Sequence, residues 1–241
     1  MQPNDILVFD LDNTLTFPGE KISKEMNTLI NLACKYFTLG IITASSYNNT
    51  KRQLVDLHKY QYIFAESGSV FYHNGELIYQ KSFCQFVEEE KLQKLINFAL
   101  KELSNIDLPL KRGNFIEFRK GMINICPIGR NANIEERKIF VHGIRKKLVK
   151  KLIKQFGREN FSFLIGGQTS IDVFPSAQNK SLCIDELFQI KRFNNIYFFG
   201  DQIKKGEADH QIINDSRING MPVSCPDDTM VKLKKLLKTV H

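Results

Sequence analysis

The chain has 241 residues, of which 42% are hydrophobic and 25% charged, and its formal net charge is +8. This composition is typical of a folded soluble protein and excludes disordered and fibrous chains. No apolar run approaches the roughly 18 residues that a membrane span needs. The five cysteines are odd in number and include no Cys-x-x-Cys pair, so we expect reduced thiols and a cytoplasmic location.

The basic surplus is concentrated in the middle of the chain, where residues 81–180 contain 19 lysines and arginines against 10 acids. Such a segment suits an anionic partner, either nucleic acid or a phosphorylated small molecule. A solvated helix face explains part of the surplus. In residues 144–156, one predicted face is apolar: Leu148, Val149, Leu152, Ile153 and Phe156. The basic residues predicted on the opposite, exposed face are Arg145, Lys146, Lys147, Lys150, Lys151 and Lys154.

Strands and helices alternate at the start of the chain. The predicted elements are a strand at 6–9, a helix capped by Ser23, a strand at 39–42 and a helix at 48–58. This alternation predicts an α/β fold with a parallel sheet. Reactive groups of such sheets lie just beyond the carboxyl ends of the strands, which is where Asp10 and Ser45 fall.

The pattern changes near residue 81. The predicted elements there are a helix around residues 92–103, a hairpin within 114–125, the basic helix, and strands at 161–165 and 169–174. Helices with an antiparallel sheet indicate an α+β insert. The α/β pattern resumes at residue 196 and ends with an amphipathic helix at 231–240. We therefore predict a core domain formed by residues 1–80 and 185–241, with an inserted domain at 81–184.

Two acids, Asp10 and Asp12, directly follow the first strand, and Asp201 follows a later one, with Asp209 eight residues further on. One acid of such a pair can serve as nucleophile and cation ligand while the other moves a proton. Carboxylates that converge at strand ends favour a hard divalent cation, and we expect Mg²⁺.

The motifs Asp10-Leu-Asp12-Asn-Thr14, Ser45, Lys180 and Gly200-Asp201 resemble, in order and strand placement, those of the haloacid dehalogenase (HAD) superfamily. The resemblance implies a Rossmannoid core in which Asp10 is the nucleophile and Asp12 the general acid and base. It also implies that Asp10, Asp201 and the backbone carbonyl of Asp12 hold Mg²⁺, while Ser45 and Lys180 bind phosphoryl oxygens. Phosphoryl transfer depends mainly on such positioning and charge neutralisation.

Residues 111–130, 135–137 and 165–175 resemble the cap domain of the eukaryotic-type phosphomannomutase family, and the similarity extends over almost the whole chain. The resemblance implies interconversion of mannose 6-phosphate and mannose 1-phosphate through a mannose or glucose 1,6-bisphosphate activator, supplying GDP-mannose synthesis. It also implies a homodimer formed through the cap. The implied ligands are Arg119, Arg130 and Arg137 for the distal phosphate, Ser170 and Asp172 for sugar hydroxyls, and Asp215 for a second cation.

The match fails at three places near the predicted centre: Gly19 replaces an arginine, Ser46 replaces an acid and Ala208 replaces an asparagine. These changes keep a Mg²⁺-dependent sugar-phosphate phosphatase as an alternative that would use the same residues. A second alternative, a nucleic-acid-binding module, rests on the basic insert alone. We expect no nucleic-acid or membrane partner, because the chain shows no recognisable binding motif and no stacking platform.

Overall fold

The computed structural model describes residues 4–140, 143–166, 168–176, 180–205 and 207–239. In chain order, the strands and helices are β1 (Ile6–Phe9), α1 (Lys24–Ala33), β2 (Thr38–Ile42), α2 (Tyr47–Gln53), β3 (Tyr62–Ala65), β4 (Val70–His73), β5 (Glu76–Gln80), α3 (Glu89–Ser104), β6 (Ile116–Phe118), β7 (Ile123–Ile125), α4 (Ile134–Lys138), α5 (Gly143–Phe156), β8 (Phe161–Gly166), β9 (Ser170–Pro175), α6 (Leu182–Ile190), β10 (Ile196–Gly200), α7 (His210–Ile213), β11 (Asn219–Pro222) and α8 (Pro226–Leu237). Short 3₁₀ turns occupy Leu57–Lys59, Glu66–Gly68 and Phe83–Gln85. No helix in these ranges is long and apolar enough to cross a membrane.

The chain divides into two compact units. A core unit contains the residues up to Gln80 and from Asn179 onward, and an insert unit contains Lys81–Gln178. The second boundary predicted from the sequence, after residue 184, therefore falls inside α6. The physical reason is that Cys183, Ile184 and Leu187 of α6 are buried in an apolar cluster with Ile6 and other core residues.

The core unit contains a seven-stranded sheet in the order β11-β10-β1-β2-β3-β4-β5. The pairs from β11 to β3 are parallel, whereas β4 pairs antiparallel with both β3 and β5. The predicted α/β fold with a parallel-sheet core is thus confirmed. Strand β1 is buried on both faces, because Leu7 and Phe9 join one apolar cluster while Ile6 and Val8 join another. Phe9 lies opposite Phe199 in the register, so β1 and β10 end side by side.

The insert unit has a separate four-stranded antiparallel sheet in the order β6-β7-β9-β8. One face of this sheet packs on helices α3 and α5 around a core that includes Ile123, Ile125, Ile171 and Val173. Successive strand residues point to opposite faces. The intervening residues Asn124 and Asp172 therefore belong to the other face, which carries the polar groups described below.

Two local predictions are wrong. Helix α2 ends at Gln53, because Leu54 is extended and Asp56 accepts a hydrogen bond from the backbone N–H of His58 to start a separate turn. On helix α5, Arg145 is buried and Ile153 is half exposed. Arg145 precedes Leu148 by three residues, so helical periodicity places it on the packed face.

Candidate active site

Three carboxylates converge beyond the ends of β1 and β10. Asp10 follows β1, Asp201 follows β10, and Asp209 directly precedes α7. One oxygen from each lies within 4.8 Å of the others. The backbone N–H of Asp10 donates to the carbonyl of Phe199 at 2.8 Å, which fixes the two strand ends together. The structure thus brings together the predicted Asp10 and Asp201 and adds Asp209 to the group.

Lys180 is buried and bridges two of these acids. Its Nζ donates to Oδ1 of Asp10 at 2.7 Å and to Oδ1 of Asp209 at 2.8 Å. Burial alone would lower the pKa of Lys180, but the attraction of both carboxylates outweighs it and the pKa is raised. Lys180 therefore stays an ammonium ion, with two of its three N–H groups donating to these acids.

The remaining charge of the centre is negative. Burial raises the pKa of Asp10 well above its ordinary value, against the opposing attraction of Lys180. Burial and the nearby Asp209 carboxylate raise the pKa of Asp201 to about 6. Burial is the larger cause of both pKa shifts, and the neighbouring acids, with one lysine among three carboxylates, add to it. A divalent cation would supply the missing positive charge, and carboxylate oxygens are the ligands that Mg²⁺ prefers.

A buried oxygen at this centre supports the same conclusion. Oδ1 of Asp201 has no hydrogen-bond partner among the described residues, and neither does Oγ1 of the buried Thr14. Unpaired buried oxygens are costly unless a ligand satisfies them. Gly200 keeps the space open, because a Cβ there would lie only 2.7 Å from Oδ2 of Asp209. The residues present fit a Mg²⁺ ion.

Asp12 has partners of its own at the edge of this centre. Its Oδ1 accepts from the backbone N–H of Gly19 at 3.1 Å, and its Oδ2 accepts from Oγ of Ser45 at 3.2 Å. Gly19 has a φ of +76°, which a residue with a side chain rarely adopts. Both carboxylate oxygens of Asp12 are therefore oriented by the chain. Ser46, which replaces an acid in the expected motif, instead caps α2 by accepting from the N–H of Asn49 at 3.3 Å.

In the insert unit, Glu117 ties together two of the predicted phosphate ligands. Arg119 donates from Nη2 to Oε2 of Glu117 at 2.6 Å, and Nε of Arg130 lies 3.4 Å from the same oxygen. Burial and the neighbouring Arg119 guanidinium lower the pKa of Arg130, although Arg130 stays charged at neutral pH. Arg137 adds a third positive charge nearby. Glu117 is one carboxylate beside three guanidinium groups, so the cluster has an excess of positive charge suited to an anion.

Arg137 makes three hydrogen bonds that support this arginine cluster. Its Nε donates to the carbonyl of Ala132 at 2.8 Å, its Nη1 to Oγ1 of Thr169 at 2.7 Å and its Nη2 to the carbonyl of Arg130 at 2.7 Å. These contacts link α4, the loop before it and the loop before β9. Arg137 thus holds the backbone of Arg130 in place.

Ser170 and Asp172 lie on β9, as predicted, and both are buried. Oδ1 of Asp172 accepts from Nδ2 of Asn124 at 2.6 Å. Arg145 donates from Nη1 to the carbonyls of Gly166 at 2.8 Å and Ser170 at 3.2 Å, so it holds both ends of the β8–β9 turn. Gly166 is required for space, because a Cβ there would meet the Asp172 carboxylate at 2.0 Å.

Asp215 lies after α7 and is held by a basic residue. Nη2 of Arg217 lies 2.6 Å from Oδ2 of Asp215, and Nη1 of Arg217 lies 2.6 Å from Oδ1 of Asp185. The hydrogen bond from Arg217 lowers the pKa of Asp215. The second cation site expected at Asp215 therefore remains a prediction, at a carboxylate that already has a cationic partner.

Four residues with clear roles in these contacts were not predicted as site residues: Glu117, Asn124, Arg145 and Asp209. Asn124 could have been identified from the sequence, because it is a polar amide between two isoleucines of a predicted strand. Arg145 could have been found from its spacing to Leu148. Asp209 does not directly follow a strand, so its position in the sequence does not assign it to the centre.

The fold and the carboxylate–lysine centre define an α/β phosphotransferase of the HAD-like class. A structure of a C. albicans trehalose-6-phosphate phosphatase C-terminal domain shares the fold, with a TM-score of 0.66 at 16% identity over 98% of this chain and 92% of that one. The more specific assignment comes from sequence comparison. Residues 26–239 match the model of the eukaryotic phosphomannomutase family, and this chain belongs to that family.

Curated relatives agree with this assignment. A phosphomannomutase from Glycine max is 42% identical over 242 residues, which cover 98% of this chain and 97% of the relative. A probable phosphomannomutase from Caenorhabditis elegans is 41% identical over 244 residues, which cover 97% of this chain and 95% of the relative. The similarity therefore spans both units.

Proposed function

We propose that this protein is a phosphomannomutase, an isomerase that interconverts mannose 6-phosphate and mannose 1-phosphate through a hexose 1,6-bisphosphate. The observation that carries the proposal is the presence of two anion-binding arrangements, the carboxylate–lysine centre of the core unit and the arginine cluster of the insert unit. A phosphatase needs only the carboxylate–lysine centre. A mutase substrate exchanges its two ends, so it needs a second phosphate site.

In the proposed reaction, an oxygen of Asp10 attacks a phosphorus atom of the bisphosphate, and the bond from that phosphorus to the sugar oxygen breaks. Asp12 gives the sugar oxygen its proton. This leaves a hexose monophosphate and an aspartyl-phosphate. Asp12 then removes the proton from the free C6 hydroxyl of mannose 1-phosphate, whose oxygen attacks the aspartyl-phosphate, so that the bond from Asp10 to phosphorus breaks and a 1,6-bisphosphate forms. The bisphosphate exchanges its ends before Asp10 attacks the phosphorus at C1, which releases mannose 6-phosphate and leaves Asp10 phosphorylated again. The orientation of Asp12 by Gly19 and Ser45 supports this role.

Mg²⁺ held by Asp10, Asp201 and the carbonyl of Asp12 would neutralise charge on the transferring phosphoryl group. Lys180 lies beside Asp10 and would bind a phosphoryl oxygen through its remaining N–H. Ser45, which donates to Asp12, would bind another phosphoryl oxygen. Asp209 holds the Lys180 ammonium group in place.

In the insert unit, Arg119 and Arg130 would bind the second phosphate, because planar guanidinium groups match phosphate oxygens. Arg137 keeps the Arg130 backbone in place and adds charge. Ser170 and Asp172 would accept or donate hydrogen bonds at sugar hydroxyls. The proposed substrates are thus hexose phosphates, with mannose or glucose 1,6-bisphosphate as activator.

We further propose that the enzyme works in the cytoplasm, supplies mannose 1-phosphate for GDP-mannose synthesis and forms a homodimer through the insert unit. Sedimentation velocity on the full chain tests for the dimer. The nucleic-acid alternative predicts RNA binding that weakens steeply with salt, whereas we expect no such binding.

The function is tested by incubating the purified protein with Mg²⁺, mannose 1-phosphate and a catalytic amount of hexose 1,6-bisphosphate. We expect mannose 6-phosphate to accumulate, and we expect Asp10→Asn to abolish the conversion. Absence of mannose 6-phosphate with the wild-type protein would refute the proposal.

A further inference from the structure

Three polar side chains lie next to one another across the insert sheet. Asn124 on β7 is directly opposite Glu117 on β6 and Asp172 on β9. The flanking residues of β7, Ile123 and Ile125, are buried in the apolar core. Because side chains alternate between the faces of a sheet, these three polar residues share the face away from that core.

Asn124 occupies the centre of this row and is only 2% exposed. Its Nδ2 donates to Oδ1 of Asp172 at 2.6 Å, a charge-assisted hydrogen bond. Its own Oδ1 is buried with no hydrogen-bond partner in the part of the chain that the structure describes. An unpaired buried carbonyl oxygen costs free energy. An amide at this position is therefore hard to explain by the stability of the sheet alone.

The two cross-strand neighbours of Asn124, Glu117 and Asp172, have different proposed roles. Glu117 binds Arg119 and Arg130, the proposed ligands of a phosphate. Asp172 is the proposed ligand of sugar hydroxyls. A third carboxylate between them would raise the pKa of its neighbours by like-charge repulsion, whereas a neutral amide donates to one of them without adding charge.

We propose that Asn124 is a positioning residue for sugar recognition, which orients the Asp172 carboxylate toward the hydroxyl groups of a hexose phosphate. This inference rests on the proposed function and deepens it. It assigns the sugar portion of the substrate to Asn124 and Asp172, and the phosphate to the arginines. Loss of the Asn124 amide therefore weakens binding of a sugar phosphate and leaves binding of inorganic phosphate unchanged.

The test uses the full-length protein with Asn124→Ala and Asn124→Asp, and with Asn105→Ala as matched control, because Asn105 is an exposed amide in the same unit. We expect Asn124→Ala to raise the KM for mannose 1-phosphate about tenfold, which corresponds to about 1.4 kcal/mol, with kcat changed less. The inhibition constant of inorganic phosphate is expected to stay within about twofold of wild type in the same assay. Thermal unfolding establishes that each variant is folded.

Asn124→Asp provides a second, independent readout, because it has nearly the same shape. At neutral pH its carboxylate lies between Glu117 on one side and Asp172 on the other, so the KM ratio of variant to wild type is expected to be large. When the pH is lowered toward 5, the new carboxyl group takes up a proton and can donate to Asp172, so that ratio is expected to fall. A purely structural defect would not recover with protonation.

Three results would overturn the inference. They are an unchanged KM in both Asn124 variants, an equal weakening of mannose 1-phosphate and inorganic phosphate, and a KM ratio for Asn124→Asp that does not depend on pH. A wild-type protein that does not convert mannose 1-phosphate would refute the proposed function itself. A working wild type with unaffected Asn124 variants refutes this inference alone.

Discussion

The Nζ of Lys180 lies 2.8 Å from Oδ1 of Asp209, and both side chains are buried. The same Nζ lies 2.7 Å from Oδ1 of Asp10. One ammonium group therefore joins the acid after β1 to the acid before α7. Three converging acids would otherwise repel each other, so Lys180 contributes both to the stability of the core unit and to its chemistry.

The first prediction concerns the removal of this charge. Lys180→Met leaves buried carboxylates without a cationic partner, so we expect the metal-free protein to lose about 3–5 kcal/mol of unfolding free energy. We expect kcat to fall at least about a hundredfold. Denaturant unfolding and a turnover assay measure both. Lys94→Met removes only an exposed pair with Glu90 and is expected to leave both stability and kcat close to those of the wild type. Equal effects of the two substitutions would contradict the assigned role of Lys180.

The second prediction concerns pH and Mg²⁺. The pKa of Asp201 in the folded protein is about 6, above the usual value for an unfolded chain, so folding takes up a proton between about pH 4 and 6. The contribution of Asp201 to the stability of the metal-free protein is therefore favourable below this range and is lost as the pH rises through it. At pH 7.5 the ionised carboxylate is free to bind a cation.

We accordingly expect Mg²⁺ to raise the melting temperature more at pH 7.5 than at pH 5, where protons compete for the same oxygens. Differential scanning calorimetry with and without Mg²⁺ at both pH values measures this difference. Asp201→Asn is expected to reduce the shift at pH 7.5. A Mg²⁺ shift that is the same at both pH values would show that the ion binds elsewhere.

The third prediction separates backbone strain from function at Gly19. Gly19 and Gly75 both have a positive φ, and a Cβ at either would meet nothing within 4 Å. Gly19→Ala and Gly75→Ala are therefore each expected to lower stability by about 1–2 kcal/mol through backbone strain. Of the two glycines, only Gly19 donates its N–H to Asp12, and backbone strain at residue 19 displaces that N–H, so only Gly19→Ala is expected to reduce kcat. Equal kcat values for the two variants would argue against a role for Gly19 in orienting Asp12.

The fourth prediction concerns Arg145. Its guanidinium donates to two carbonyls of the β8–β9 turn, and Arg145→Met removes the donor from both. We expect a loss of about 1–3 kcal/mol, the cost of leaving buried polar groups unpaired. Lys147→Met on the same helix is exposed and serves as the control. Similar melting temperatures for the two variants would contradict the buried placement of Arg145.

The sequence predicts the central part of the fold well. Strands β1, β2 and β10 are largely apolar, as strands buried on both faces must be, and the acids that follow β1 and β10 indicate a reactive edge. The positions of these acids indicate that Asp10 and Asp201 lie together, but they do not indicate that Asp209 joins them. Their convergence follows from the parallel register, which pairs Phe9 with Phe199.

Other features depend on contacts that composition does not reveal. Arg145 was predicted to be exposed from its charge, although its spacing to Leu148 places it on the packed face, where backbone carbonyls satisfy it. Arg137 was predicted as a phosphate ligand, whereas its described hydrogen bonds are mostly to backbone carbonyls, which no side-chain pattern encodes. The role of Asn124 depends on which residue lies opposite it on β9, and strand register is set by the whole sheet.

The most direct test of the account follows the fate of the phosphoryl group. Phosphorus NMR of one sample containing protein, Mg²⁺, mannose 1-phosphate and catalytic bisphosphate measures mannose 6-phosphate and free phosphate together. We expect mannose 6-phosphate in large excess over free phosphate, and neither product with Asp10→Asn. Release of phosphate without the isomer would contradict the account and would assign the same centre to a phosphatase.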